Sequence, residues 1–446
     1  MAIKGYDKRH FGEELNQVVS PSRPVDSHEH LVGRDKELER IEKALLAPGR
    51  NVFIFGERGV GKSSLAASAA NLWQSSDAEY IDISCAPDST VKSIVASIAS
   101  QAVRRVWTSK KTTSHTTQVG FKWLSYSLRN ENHAFDIGEN IKHLSDAIEV
   151  LKEVATLHSE APIVVVDEVD RIGDRNEISM LADLLKQIGD KRVPIKFIFT
   201  GVGRTLDEIL GSHQSAIRQL ETIELPRLSW DARWNIAIDA LKHFGIDINR
   251  SLYIRLAAVS DGYPYYVHLI VEKLLWLLFE KDEIVTEVTW DDYYAALDEA
   301  IVSISAELAR PYELATNQRT QDYEEVVWST SADEWQGAYL GQMYARYESI
   351  MKQRDGKEML SYSQYASRIR NLVKPQYGAI LEAGIRKGHY HYREKMLRGY
   401  IRMQAEANRI EIISEEAQAT IKTYMHVPAT NVGYYRSEIP RGVKQS

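Results

Sequence analysis

Three short stretches bring together residue types that could work on a phosphate. "GERGVGKS", Gly56 to Ser63, has the spacing G-x-x-x-x-G-K-[ST] between an apolar "VFIF" and a helix-favouring "KSSLAASAANLW". In a strand–loop–helix setting the glycines let backbone N–H groups close around phosphate oxygens, and the helix N-terminus adds the positive end of its dipole. Gly56, Glu57, Arg58, Gly59, Val60, Gly61, Lys62, Ser63 and Ser64 are therefore the expected nucleotide-binding loop. Lys62 would reach the β- and γ-phosphates, and the Ser63 hydroxyl would ligate Mg²⁺. "IVVVDE" ends an apolar run in two acids: Asp167 would hold the Mg²⁺ shell, and Glu168 would orient and polarise an attacking water. Thr200 closes the run "KFIFT", where its hydroxyl could read the γ-phosphate or the water, or simply cap a strand. ATP and Mg²⁺ are the expected cofactors and ATP hydrolysis the expected reaction.

Such groups need a rigid frame. From Leu31 to about Leu228, apolar runs of strand length ("VFIF", "EYIDIS", "PIVVVDE", "IKFIFT", "ETIELP") alternate with helical patterns. This predicts an α/β fold with a parallel sheet covered on both faces, whose strand C-terminal edges carry the site. Residues 117–137 break the rhythm with two-residue alternation (Val119, Phe121, Trp123), which predicts a hairpin insertion. A helix is expected from Glu139 to His158. Trp230 to Ile304 reads as purely helical, and "ELARPYELATNQRT" as a connector.

The 446 residues exceed one ordinary core, so two or three domains are expected. The expected division is a flexible lead-in over 1–28, a sheet core over 29–229, a helical lid over 230–305, a third domain over 306–410 and a tail over 411–446. Net charge is −7, and the single cysteine, Cys85, fits a reducing compartment. The charged N-terminus does not read as a signal peptide, and "LIVEKLLWLLF" is too short to span a bilayer. A cytoplasmic chain without a membrane partner is the expectation.

"LVGRDKELERIEKAL", "NVFIFGERGVGKSSLA", "IVVVDEVDRI", "FIFTGVG" and "RQLETIELPRL" together resemble an AAA+ ATPase core. The resemblance is to the branch of archaeal and eukaryotic replication-initiator (origin-recognition) ATPases and their bacterial relatives. It implies that Leu31, Val32, Gly33 and Arg34 line the adenine pocket and that Thr200 acts as a γ-phosphate sensor. It also implies a homo-oligomer in which Arg218 reaches a neighbour's site and offsets charge on the γ-phosphoryl group. A monomer would then be a poor ATPase; otherwise Arg218 is an exposed helix arginine. One departure stands out. The initiators put an arginine at the start of a lid helix, whereas this chain has "SDGYPYYVHLIVEKL", with Gly262, Tyr263 and Pro264. That form is similar to the STAND signalling ATPases, makes Pro264 the expected lid contact, and implies slow hydrolysis. His268 could touch phosphate or be structural.

"DYEEVVWSTSA", "YLGQMYARYESIMKQ" and "SYSQYASRIRNLV" predict three helices, the last capped by Ser361. "AILEA", "GIRKG" and "HYHYREKM" predict a strand, a turn and a strand. That order is a C-terminal winged-helix domain, whose third helix would enter the major groove of double-stranded DNA. Ser361 to Ile410 holds ten Lys plus Arg against three Asp plus Glu, a balance of 10 − 3 = +7. Arg368 and Arg370 on the third helix and Arg386, Lys387, His389, His391 and Arg393 at the ribbon are the expected DNA contacts. The alternatives are a protein-binding winged helix or a solvated basic surface. Two whole-protein readings follow: an oligomeric ATP-driven switch on DNA, or a STAND-type signalling ATPase that meets a protein effector.

Overall fold

The computed structural model describes residues 3, 5–21, 31–74, 78–110, 137–203, 206–207, 216–318, 320, 322–332 and 337–412. The hairpin expected over 117–137 lies outside them but for its last residue, and so does the tail beyond 412. The chain divides into two compact units, Met1–Leu308 with Glu394–Tyr400, and Ala309–Arg393 with Ile401–Ser446.

The first unit is built on five parallel strands: β1 (Asn51–Phe55), β2 (Ile81–Ser84), β3 (Ile163–Asp167), β4 (Lys196–Gly201) and β5 (Leu220–Glu224). Their order across the sheet is β2-β3-β4-β1-β5. Val52, Phe53, Ile54, Val164 and Val166 are fully buried, as expected for strands covered on both faces. The α/β expectation therefore holds. Helices α2 (Asp35–Leu46), α3 (Lys62–Trp73), α4 (Val91–Lys110), α5 (Ile137–Asn140), α6 (Leu144–His158) and α7 (Arg175–Asp190) accompany the sheet, after an N-terminal α1 (Lys8–Val18). The helix expected from Glu139 is interrupted: Asp146 accepts the N–H groups of Lys142 and His143, and this cap starts α6 afresh.

Helices α8 (Trp230–His243), α9 (Arg250–Val259), α10 (Pro264–Phe279) and α11 (Trp290–Ser303) follow. Pro264 starts α10 at a position where its missing N–H costs nothing. Helix α1 overturns the flexible lead-in. Asp7 accepts from the N–H groups of Arg9 and His10, both at 2.9 Å, and caps the helix. Phe11 and Leu15 are buried one turn apart, and Phe11 stacks on Phe279 with ring centroids 4.2 Å apart. The stripe and the cap were both present in the sequence.

The second unit holds α13 (Tyr323–Thr330), β6 (Gly337–Tyr339), α14 (Leu340–Met351), α15 (Tyr362–Asn371), β7 (Leu381–Ala383) and β8 (His389–Tyr392). The strands form an antiparallel sheet ordered β6-β8-β7, so a third short strand joins the expected pair. Trp328, Tyr347, Tyr365 and Ile369 form its core, and Ser361 caps α15 as expected. The expected connector is instead helix α12 (Ala306–Thr316), which tolerates Pro311 because Leu308, Tyr312 and Ala315 are buried along one side. The division between units falls inside α12. The last helix, α16 (Leu397–Ala407), begins in residues counted with the first unit and ends in the second. The C-terminal segment over 306–410 is thus not one contact unit, since Glu394–Tyr400 packs with the sheet core and its helices.

A candidate nucleotide-binding cleft

A cleft of about 780 Å³ in the first unit opens beside the C-terminal edge of the sheet. The phosphate loop forms its floor, turning at Gly59 (φ +81°) and Gly61 (φ +97°), where side chains are disfavoured. Gly61 caps α3, so Lys62, Ser63 and Ser64 lie in the first helical turn, at the positive end of the helix dipole, and all three line the cleft. Lys62 donates from Nζ to the carbonyls of Glu57, at 2.8 Å, and Gly56, at 3.2 Å. Burial lowers the Lys62 pKa, and the carboxylates of Asp170, Asp167 and Glu168 partly offset this.

β3 delivers Asp167 and Glu168 to the same cleft, and β4 delivers Thr200. The buried Thr200 hydroxyl donates to Asp167 Oδ1 and accepts from the Glu168 N–H at 3.0 Å. It ties two neighbouring strand ends together. Glu168 sits at φ +56°, and its carboxylate is held by Arg171 Nη1 at 2.9 Å. Cys85, beside this edge, is buried, and burial pushes its thiol up to about 12, which leaves it inert.

The remaining expected residues divide. Leu31, Val32, Arg34, Arg58, Gly59, Val60 and Pro264 line the cleft, whereas Gly33, Gly56 and Glu57 do not. Gly33 (φ +73°) packs on Ala232, too close for any side chain. Arg34 is buried and donates to the carbonyls of Val60 at 3.0 Å and Pro226 at 2.8 Å, so it also braces the phosphate loop. Burial lowers its pKa to about 10. Glu57 points its carboxylate at Arg227, Tyr263 and Lys395. Arg218 lies in a short 3-10 turn before β5, exposed and outside the lining.

Several lining residues were not expected: Ser20, Pro21, Asp170, Arg171, Tyr265 and Met396. Ser20 and Pro21 follow from the packing of α1, and the Ser20 N–H points at His268 Nδ1, 3.4 Å away. Met396 had no local signal, because it reaches the phosphate loop from the far end of the chain.

Residues 30–198 match the AAA ATPase domain family. Among solved structures, the chain is similar to a Walker-type ATPase of Pyrococcus abyssi, at 16% identity with a TM-score of 0.51, over 85% of this chain and 99% of that one. At that identity the likeness is one of fold. It is also similar to Cdc6p of Pyrobaculum aerophilum (15% identity, TM-score 0.43, over 88% and 98%). The Orc1 protein of Aeropyrum pernix, solved in complex with DNA, is similar to a like degree (15%, 0.44, over 91% and 98%). No curated protein matches the chain. The matched residues include the phosphate loop, Asp167 and Glu168; Thr200 and helices α8 to α11 lie beyond them.

The residues expected on DNA fall in the second unit. Arg370, Arg386, Lys387 and Arg393 are exposed and His389 is half-buried. Arg386 donates to Tyr339 Oη at 3.2 Å, and Arg393 pairs with Glu382 at 2.9 Å. Arg368 is different. It donates from Nε and Nη2 to Asp322 Oδ2 at 3.0 and 2.7 Å and lies over the Tyr323 ring. Its charge is paired inside the unit, unlike that of the exposed Arg370. No helix among the described residues is long and apolar enough to cross a membrane.

Proposed function

We propose that this protein is an ATP-binding, slowly hydrolysing AAA+ switch that self-assembles and engages double-stranded DNA through its C-terminal domain. One observation carries the nucleotide half: Lys62, Ser63, Asp167, Glu168 and Thr200 converge on one cleft at the N-terminus of α3. The backbone N–H groups of the loop and the Lys62 ammonium would bind the phosphate tail, with Leu31 and Val32 against the base. Mg²⁺ keeps most of its waters and needs only one or two protein ligands beside the phosphates. Ser63 and Asp167 would hold it, and it would neutralise charge developing on the phosphoryl oxygens. Glu168 would orient water once freed from Arg171, and Thr200 fixes Asp167 and the Glu168 backbone in register. The tie to Arg171 and the proline at the lid-helix start both favour slow turnover.

The DNA half rests on the exposed charges of Arg370, Arg386 and Lys387 on a helix–helix–helix–ribbon order that we read as a winged helix. Arg218, exposed before β5, is proposed to act on a neighbouring subunit. The test is salt-dependent binding of a labelled duplex, with and without ATP, by wild type and by Arg386→Glu with Lys387→Glu. Binding that steepens with falling salt and flattens in the double variant supports the reading. No binding in either nucleotide state favours the second reading, a STAND-type switch with a protein effector, to which Gly262–Pro264 and the paired Arg368 point.

A further inference from the structure

The phosphate loop carries a carboxylate, Glu57, where negative charge would repel the phosphates the loop is shaped to hold. Burial alone would raise its pKa, yet Lys395, Arg227 and Tyr263 outweigh burial and hold the carboxyl below its ordinary value. Lys395 Nζ lies 2.9 Å from Oε1, while Tyr263 Oη and Arg227 Nε donate to Oε2 at 2.9 and 3.2 Å. The network continues to the turn before the lid helix. Arg227 Nη1 reaches Asp261 Oδ2 at 2.9 Å, and Asp261, only 2% exposed, takes Nε of the buried Arg398 at 2.8 Å. Between Lys395 and Arg398, the Met396 carbonyl accepts from Tyr266 Oη at 2.7 Å. The Met396 side chain lines the cleft so closely that a Cβ on Gly59 would meet its sulfur at 2.5 Å.

Glu394–Tyr400 therefore grips both walls of the cleft, the phosphate loop through Glu57 and the lid turn through Asp261. These residues are counted with the first unit, although the chain before and after them is counted with the second. Opening the cleft would part Glu57 from Tyr263 and Arg227 from Asp261, and Lys395 and Arg398 resist that by holding each wall.

We propose that Glu394–Tyr400 is a latch on nucleotide exchange. Docked on Glu57 and Asp261, with Met396 against Gly59, it keeps the cleft closed around the phosphate tail of a nucleoside di- or triphosphate, and release requires it to leave. The proposal rests on the nucleotide reading of the cleft. By linkage, bound nucleotide holds the latch down as firmly as the latch holds the nucleotide. The residues of the second unit on either side of the latch then respond to what the cleft contains.

The test is displacement of fluorescently labelled ADP from the full-length protein by excess unlabelled ADP. Lys395 is half-exposed, so Lys395→Met should fold, with an unchanged melting temperature to verify it. Lys395→Met and Met396→Ala should each release ADP about three to ten times faster, as expected for loss of one partly exposed contact. Glu57→Gln should speed release at least as much as Lys395→Met, and adding Lys395→Met to it should change little more, because the Lys395 ion pair is already lost. ADP should also slow amide exchange across Glu394–Tyr400, a response that a purely structural contact would not give. Wild-type release rates in both Lys395→Met and Met396→Ala, or amide exchange indifferent to ADP, would overturn the latch. A wild type that binds no labelled ADP would instead overturn the nucleotide site.

Discussion

The cleft and the basic ribbon both concentrate charge, but they do so in opposite ways. Around the phosphate loop, two carboxylates are each held by several partners: Glu57 meets Lys395, Arg227 and Tyr263, and the buried Asp261 meets two guanidinium groups. On the ribbon, Arg386 and Arg393 are exposed, and among the described residues the side chain of one meets a tyrosine hydroxyl and that of the other a carboxylate. A buried network acts through geometry, so losing one member displaces the rest. An exposed patch acts through its summed field, so losing one member subtracts one share. Arg368 shows how the two can mix on one helix. It lies two residues before the exposed Arg370, yet Asp322 and Tyr323 bind it inside the unit.

Mutations can break this contrast. The largest expected effect is Glu168→Gln, which should lower ATP turnover by about 10²–10⁴-fold while leaving binding intact; single-turnover assays beside equilibrium binding would check it. Retained turnover would mean that another group positions the water. Lys62→Ala should weaken ATP binding by about a hundredfold or more, through loss of a half-buried cation at the phosphates. Calorimetry showing undiminished affinity would remove the phosphate-loop assignment. Next comes Arg386→Glu with Lys387→Glu, which should weaken duplex binding about tenfold and flatten its salt slope by about two.

The smallest effects sharpen the comparison within α15. Arg370→Ala should reduce duplex affinity only about threefold and leave the melting temperature unchanged. Arg368→Ala should instead destabilise the unit by about 1–2 kcal/mol, because it strands Asp322. Thermal unfolding of the two variants side by side would reveal an exchange of these roles. The same pair carries a pH signature. Burial would raise the Asp322 carboxyl, but Arg368 outweighs it and holds the pKa below the ordinary value. A depressed carboxylate contributes stability above its unfolded pKa and loses it as pH falls through the folded one. Arg368→Ala should therefore narrow its stability gap to wild type in acid, below the ordinary Asp range.

Local signals carried most of the nucleotide site. The glycine spacing, the apolar runs ending in Asp167 and Glu168, and the hydroxyl closing β4 are each read within a few residues, because strand, turn and helix starts are local decisions. Helix α1 was legible too, through Asp7 and the Phe11–Leu15 stripe, but its polar residues masked it. The α12 helix was hidden by Pro311, whose cost is outweighed by burial of Leu308, Tyr312 and Ala315.

The sequence by itself determined the phosphate loop, the parallel sheet that aims it and the positive balance of the C-terminal stretch, since these depend on residue type and short-range spacing. Only the tertiary structure decided which charges are free and which are consumed. Glu57 meets Lys395 across 338 residues, and Arg398 finds Asp261 across 137. No local pattern encodes such pairs, because a desolvated charge takes whichever partner the packed chain brings within reach.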